Sequence, residues 1–243
     1  MTGCLTKSQT DGRSNKINSV VSNNINQHCN WTKIAGFWSI DQKEHALIES
    51  RGITRTKGYS ELINYNSLVT SESFNNYSHY RLKLAIGKPV KLPYEILILF
   101  AVKDFRNFYA LKLIGDQESI ITAQLISSKI NNTSLHPSVK WNYTITSHIQ
   151  ADCDITYENP HILVVHMDEE KITAYIDDKN IIEYTIAAED QPLQNGRIGF
   201  SNRNALLKVY DVRLYSGSDI IFHDNFREDT LYRPQVIMER RRD

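Results

Sequence analysis

Gly196–Tyr215 reads GRIGFSNRNALLKVYDVRLY. Gln194-Asn195-Gly196 supplies a turn, because glycine takes up positive φ at little cost. Ile198 and Phe200, two apart, point to one side of a strand, and Gly199 between them leaves room for a close neighbour. SNRNA is a polar loop. In the strand that follows, Leu206, Tyr210, Val212 and Leu214 share one parity, and Lys208 breaks it. A β-bulge or a strand exit is expected there.

Period two continues upstream. Residues 161–167 (HILVVHM), 171–177 (KITAYID) and 180–186 (NIIEYTI) are three short strands separated by DEE and DK, which reads as a meander with acidic turns. In YRLKLAI, Tyr80, Leu82, Leu84 and Ile86 take one face and Arg81 and Lys83 the other. VKWNYTI sets Val139, Trp141, Tyr143 and Ile145 on one face in the same way. YEILILFAV (94–102) is apolar on both faces, as a strand covered on both sides must be. The five residues KDFRN then lead into FYALKLI, with Tyr109, Leu111 and Leu113 together, which reads as a hairpin. Helical periodicity is nearly absent; only SELINYNSL (60–68) is ambiguous. The expectation is an all-β, two-sheet antiparallel jelly-roll sandwich of about 12–15 strands.

The chain has 243 residues, with 28 Lys and Arg balancing 28 Asp and Glu. Zero net charge argues against a general nucleic-acid or anionic-membrane binder, which relies on basic excess. Arg240-Arg241-Arg242 is the local exception and reads as a short solvated tail. No run of about 18 apolar residues suggests a membrane span. Residues 1–29 are rich in Ser, Asn, Thr, Gln and Lys, and read as a flexible polar leader that cannot bury enough surface to order itself. Within it, Thr2-Gly3-Cys4 resembles the end of a bacterial lipobox, which makes Cys4 a candidate lipid anchor and the cell surface, the extracellular space or the periplasmic side the expected location. Cys29 and Cys153 read either as isolated thiols or as one disulfide. No CxxC pair marks a zinc site.

Three stretches together, ILVVHMDEEKITAYIDDKNIIEYTI (162–186), NGRIGFSN (195–202) and LLKVYDVRLY (206–215), resemble the closing half of concanavalin A-like lectin/glucanase jelly rolls. The pattern is similar to the laminin-G-like and 3-keto-disaccharide hydrolase-like groups. Asp177-Asp178-Lys179-Asn180 stands at a turn where those domains usually carry glycine. Trp31, Gly36-Phe37-Trp38 and NFYALKL match the front half more loosely. The resemblance spans residues 30–216 and leaves 217–243 as a C-terminal extension. That extension contains one more strand, DIIFHDNFRED (219–229), written like the family's opening strand. The resemblance also implies a structural Ca²⁺ held by Asp211 of the closing motif, although its partner acid is not identifiable and the competing reading is that Asp211 caps a turn or pairs with an arginine.

Catalytic patterns are lacking. Family 16 glycoside hydrolases, which share this jelly roll, carry Glu-x-Asp-x-x-Glu on one strand; no such spacing occurs. Asp168-Glu169-Glu170 is a solvated turn, Asp152 and Asp154 flank Cys153, and the histidines are scattered. His161 and His166 bracket one strand on opposite faces. Sugar rings stack on aromatics, so the loop-like tyrosines Tyr59, Tyr77 and Tyr157 count as candidates, with Asn76, Arg203 and Asn204 as hydroxyl partners. The expected ligand-binding residues are therefore Tyr77, Asn76, Tyr157, Arg203 and Asn204. The expected function is a non-catalytic binding or adhesion module for a glycan or a partner protein. The alternatives are a 3-keto-disaccharide hydrolase-like enzyme and a self-assembling subunit of an extracellular structure.

Overall fold

In the computed structural model the three meander runs form antiparallel strands β10 (Pro160–Met167), β11 (Lys171–Ile176) and β12 (Lys179–Thr185). The structure describes residues 30–49, 65–92, 94–104, 106–130, 143–168, 170–186, 195–228 and 231–232. Cys4, Cys29, Tyr59, Val139, Trp141, Glu169 and Arg240–Arg242, and most of SELINYNSL, lie outside them. No helix among the described residues is long and apolar enough to cross a membrane.

The remaining strands are β1 (Trp31–Lys33), β2 (Trp38–Asp41), β3 (Ala46–Glu49), β4 (Asn66–Thr70), β5 (His79–Pro89), β6 (Tyr94–Val102), β7 (Phe108–Gly115), β8 (Ser119–Ile130) and β9 (Tyr143–Thr156). After the meander come β13 (Arg197–Arg203), β14 (Ala205–Ser216), β15 (Asp219–Asp224) and β16 (Leu231–Tyr232). Sheet A runs β16-β1-β4-β13-β6-β7-β8-β9 and sheet B runs β12-β11-β10-β5-β14-β3-β2, with β15 also on β14. Every pairing is antiparallel except β1 with β16. The count among the described residues exceeds the expected range because it includes the three-residue β1 and, beside it at the sheet edge, the two-residue β16.

Alternation builds the core between the sheets. Tyr80, Leu82, Leu84 and Ile86 of β5 face Ile96, Ile98 and Phe100 of β6 within one buried cluster. The other face of β6 carries Leu97, Leu99 and Val102 in a second buried cluster with Tyr65, Val69, Phe108 and Ala110. That is why the strand is apolar on both sides. Ile198 and Phe200 are fully buried, and a Cβ on Gly199 would overlap the Leu68 carbonyl oxygen of the neighbouring strand. Ile145, expected inside, is exposed at the start of β9; the inward residues of that edge strand begin at His148 and Ile149.

β14 departs from the sequence reading in a useful way. The register slips between Val209 and Asp211, and again between Ala205 and Leu207. Leu207 and Val209 are buried before the bulge, and Val212 and Leu214 after it. Leu206 and Tyr210 therefore point outward, because the extra residue shifts the phase of the alternation. One edge of β14 pairs with β5; the other is shared end to end by β3 and β15.

β15 joins β14 through a turn at Gly217, φ 58°. Just beyond, Phe226 is fully buried and packs on Trp31, with ring centroids 6.0 Å apart. Asp224 is buried, and it accepts hydrogen bonds from the Trp31 indole N–H (2.8 Å), the Asn30 amide (3.1 Å) and the Phe226 backbone N–H (2.8 Å). Replacing Asp224 with Ala strands these donors and is expected to cost about 3 kcal/mol. That corresponds to a melting temperature lower by roughly 6–12 °C for a domain of this size, read by differential scanning calorimetry; an unchanged melt would refute the role.

The β11–β12 turn carries Asp177 and Asp178, both with positive φ, 49° and 65°. This is the type I′ geometry that hairpins use, and its second position favours glycine. Asp177 earns its place by accepting from the Ile162 N–H at 2.8 Å. Asp178 has no comparable role. Asp178→Gly is expected to stabilise by about 0.5 kcal/mol after allowing for glycine's extra freedom when unfolded. Urea denaturation checks it, and a lower midpoint would contradict it.

Candidate functional site

The outer face of sheet B is built by the residues that alternation leaves over. On β5 these are His79, Arg81 and Lys83, opposite the buried Tyr80, Leu82 and Leu84. On β14 the bulge turns Tyr210, Asp211, Arg213 and Tyr215 outward. Antiparallel register then aligns side chains across strands. Tyr215 pairs with His79, and His79 with His166. In the adjacent row His223 pairs with Arg213, Arg213 with Arg81, Arg81 with Val164 and Val164 with Tyr175.

The first row starts a chain of rings that Tyr175 of the adjacent row extends. His79 stacks on Tyr215 with centroids 4.0 Å apart and planes 14° from parallel. His166 lies 4.9 Å from His79, and Tyr175 stands edge-on to His166 at 5.6 Å. Lys83 sits 5.9 Å from the centre of the Tyr210 ring. Burial, and then the neighbouring His166, hold the His79 pKa below the usual histidine value.

The second row centres on Asp211. Its Oδ1 accepts from His223 Nε2 at 2.8 Å. Its Oδ2 lies 3.0 Å from Arg213 Nε, though that N–H is not aimed at it, and 3.9 Å from Arg81 Nη1. A calcium ion takes six or more oxygens. Here the carboxylate is ringed by two guanidinium groups and an imidazole, so the residues present do not fit the ion. The arginine pairing is what the geometry carries.

The residues expected from sequence to bind ligand do not converge. Tyr77 is fully buried, and its hydroxyl accepts from the Ala101 N–H at 2.6 Å. Tyr157 is buried too: its hydroxyl donates to the carbonyls of Asp116 and Ser119 and meets the Tyr94 hydroxyl. Neither ring is open for stacking. Both tyrosines close off the sandwich interior, which period-two reading cannot distinguish from a rim position in an irregular segment. Asn76, φ 55°, lies by the Phe74–Gly196 bridge, and its N–H donates to Asn195 Oδ1 at 3.0 Å. Arg203 and Asn204 stand at the far end of β13, roughly 20 Å away along the strand.

Arg203 instead belongs to a cluster on the outer face of sheet A, 3.7 Å from Glu95. Glu95 also meets Lys112 at 2.5 Å and accepts from the Tyr65 hydroxyl. Burial works to raise its pKa, but the hydrogen bonds from Lys112 and Tyr65 and the charge of Arg203 outweigh it and hold the carboxyl below its usual range. Asp152 and Asp154 are exposed on β9, and Cys153 is a free, half-buried thiol whose pKa burial and these two acids push up to about 11. His161 bonds Asp177 at 2.6 Å, away from His166 on the same strand. Sequence reading missed the His79–His166 meeting because it depends on cross-strand register. Its one trace was parity: His79 shares the outward face of Arg81 and Lys83.

No protein-family model matches the chain, and no curated protein does. Among solved structures, the carbohydrate-binding module CBM66 from Bacillus subtilis superposes with a TM-score of 0.52, covering 75% of this chain and 92% of that one at 14% identity. The chain has the concanavalin A-like jelly-roll fold. At that identity the likeness concerns fold alone. A Bacteroides ovatus GH16 protein of a mixed-linkage glucan PUL, in complex with a G4G4G3G product, matches the jelly roll with a TM-score of 0.46 at 11% identity over 61% of this chain and 74% of that one. Sheep galectin-11, in complex with glycerol, does so with 0.42 at 11% identity over 60% and 96%.

A second histidine reports on the same jelly roll from its seam. His148 on β9 bonds Ser127 Oγ at 2.8 Å and packs between Tyr109 and Tyr184, joining the β9 edge to β12. Burial, with a smaller contribution from Lys129, lowers its pKa. Both His79 and His148 are thus held neutral by the fold, and the unfolded chain takes up more protons as pH falls. Their stability is complete above the unfolded histidine value near 6.5 and is lost as pH falls from there toward the lower native values. Urea midpoints are expected to drop between pH 7.5 and 5.5, and the drop is expected to shrink in His79→Gln/His148→Gln. A slope unchanged in that variant would refute this assignment.

Proposed function

We propose that the chain is a glycan-binding module whose binding surface is the outer face of sheet B. The observation that carries this reading is the partly exposed ring row Tyr215–His79–His166–Tyr175, bordered by Arg81, Arg213, Asp211 and His223. Sugar rings offer apolar C–H faces and a rim of hydroxyls. Aromatic side chains meet the first, and guanidinium, imidazole and carboxylate groups meet the second. From β15 to β11 the face spans about 19 Å at the usual strand spacing, which suits an oligosaccharide better than a single sugar.

Binding without catalysis is the better match to the carboxylates. A glycosidase needs one carboxyl with a raised pKa to act as acid, facing a second across the bond. Glu95, Asp116 and Asp177 are all shifted downward, each by hydrogen bonds it accepts, including those from Lys112, the Ser119 N–H and the Ile162 N–H respectively. The same reading places the module outside the cell, with Cys4 as its candidate lipid anchor.

The test is a screen of the purified protein against immobilised oligosaccharides, followed by calorimetry on the best ligand. Tyr175→Ala and Tyr215→Ala are each expected to weaken binding about tenfold or more, equivalent to at least ~1.4 kcal/mol, with the melting transition retained. Retention unaffected by either change would move the site elsewhere, and turnover of the bound sugar would replace the binding reading with an enzymatic one.

A further inference from the structure

On the assumption that sheet B binds glycan, we infer that its ligand is an acidic oligosaccharide, one bearing carboxylate or sulfate groups. The inference rests on local charge. Arg81, Lys83 and Arg213 project from adjacent strands onto this face, and Asp211 is the one acid set among them. Two nearby acids are already paired, Glu183 with Lys171 at 2.6 Å and Asp177 with His161 at 2.6 Å, and Asp219 stands apart at the β14–β15 turn.

Arg213 and Arg81 are also direct cross-strand partners. Like charges directly opposite each other weaken a sheet, and a single carboxylate shared with His223 offsets two guanidinium groups only in part. A fold that keeps such an arrangement on a partly exposed face is set up for an anion from outside. Guanidinium groups suit this role because their planar N–H fork matches carboxylate and sulfate oxygens two at a time. Their side chains are 33% and 36% exposed for Arg81 and Arg213, so donors remain within reach of a ligand lying along the rings. The whole chain carries no net charge. Attraction to an anion is therefore confined to this face and does not come from a general basic field.

The experiment compares three oligosaccharides of equal length by calorimetry at low and physiological salt: an oligogalacturonate, a sulfated heparin fragment and a neutral gluco-oligosaccharide. The expected result is at least tenfold tighter binding of one or both acidic sugars, weakened by added salt. Arg81→Gln and Lys83→Gln are each expected to reduce that preference several-fold, and Arg81→Lys to restore part of it. Both side chains point outward, so the changes leave the core untouched, and melting curves confirm folding. Preference for the galacturonate alone identifies carboxylate as the anion, and preference for the heparin fragment alone identifies sulfate; either supports the inference. Equal or better binding of the neutral sugar overturns the inference and leaves the glycan reading intact. Retention of none of the three here, and of no sugar in the wider screen, overturns both. Equally tight capture of phosphatidylserine vesicles also overturns it, by making the face a membrane contact.

Discussion

A buried carboxylate holds this molecule together across nearly its whole length. Asp224 ends β15 in sheet B, and its hydrogen-bond donors include the indole of Trp31, which opens β1 in sheet A. Taking a charge out of water is costly unless N–H groups replace the water; here an indole, an amide and a backbone N–H do so. Around that contact Trp31 packs against Phe200, Phe222 and Phe226 at 5.3, 5.7 and 6.0 Å, joining strands distant in sequence. The polar contact fixes orientation and the rings supply the buried area. Because β15 is anchored at Asp224, its register on β14 is set, and His223 is delivered next to Asp211 on the opposite face of the same strand. The core contact and the surface site are thus consecutive residues with opposite parity.

The bulge in β14 does the complementary work. A regular strand would continue the inward sequence Leu207, Val209 to Asp211, and would bury a carboxylate. Slipping the register at that point returns Val212 and Leu214 to the core and leaves Tyr210 and Asp211 both outward. Arg213 and Tyr215 follow on the same face. The outer rows of sheet B therefore owe their composition to one extra residue, and the candidate site depends on that irregularity as much as on any side chain.

Much of the architecture was legible from alternation alone. Period two identified β5, β10, β11 and β12, the KDFRN hairpin and the doubly buried β6, because burial of one or both sheet faces writes itself directly into residue order. Lys208 pointed to an irregularity, but it pairs in register with Ala85 and the slips lie on either side of it, since parity tells which residues agree and not where the phase changes. The site was far less legible. Tyr77 and Tyr157 lie in irregular segments, where no period reveals burial, and both proved to be core residues with satisfied hydroxyls. His79, His166 and His223 are 87 and 57 residues apart along the chain, which follows from their positions. Only pairing across β5, β10, β14 and β15 brings them onto one face, and pairing is not encoded in local spacing.

What such a face can do follows from how it is held. Each outward side chain stands on a strand whose other face is packed in the core, so its backbone has nowhere to move. His79 is further fixed between Tyr215 and His166, and Asp211 restrains Arg213 and His223. Ordering flexible side chains is a main cost of binding, and here part of it is met on folding. In the glycan-binding role proposed above, a rigid, shallow surface of rings and charges would read a repeating ligand by register, one contact row per strand. Acid–base chemistry asks instead for a protonated carboxyl shielded from cations, whereas Glu95, Asp116 and Asp177 are held as anions by the lysine, histidine, hydroxyl or backbone N–H groups that bond them. The same interactions that stabilise these carboxylates as anions make them good anchors and poor proton donors.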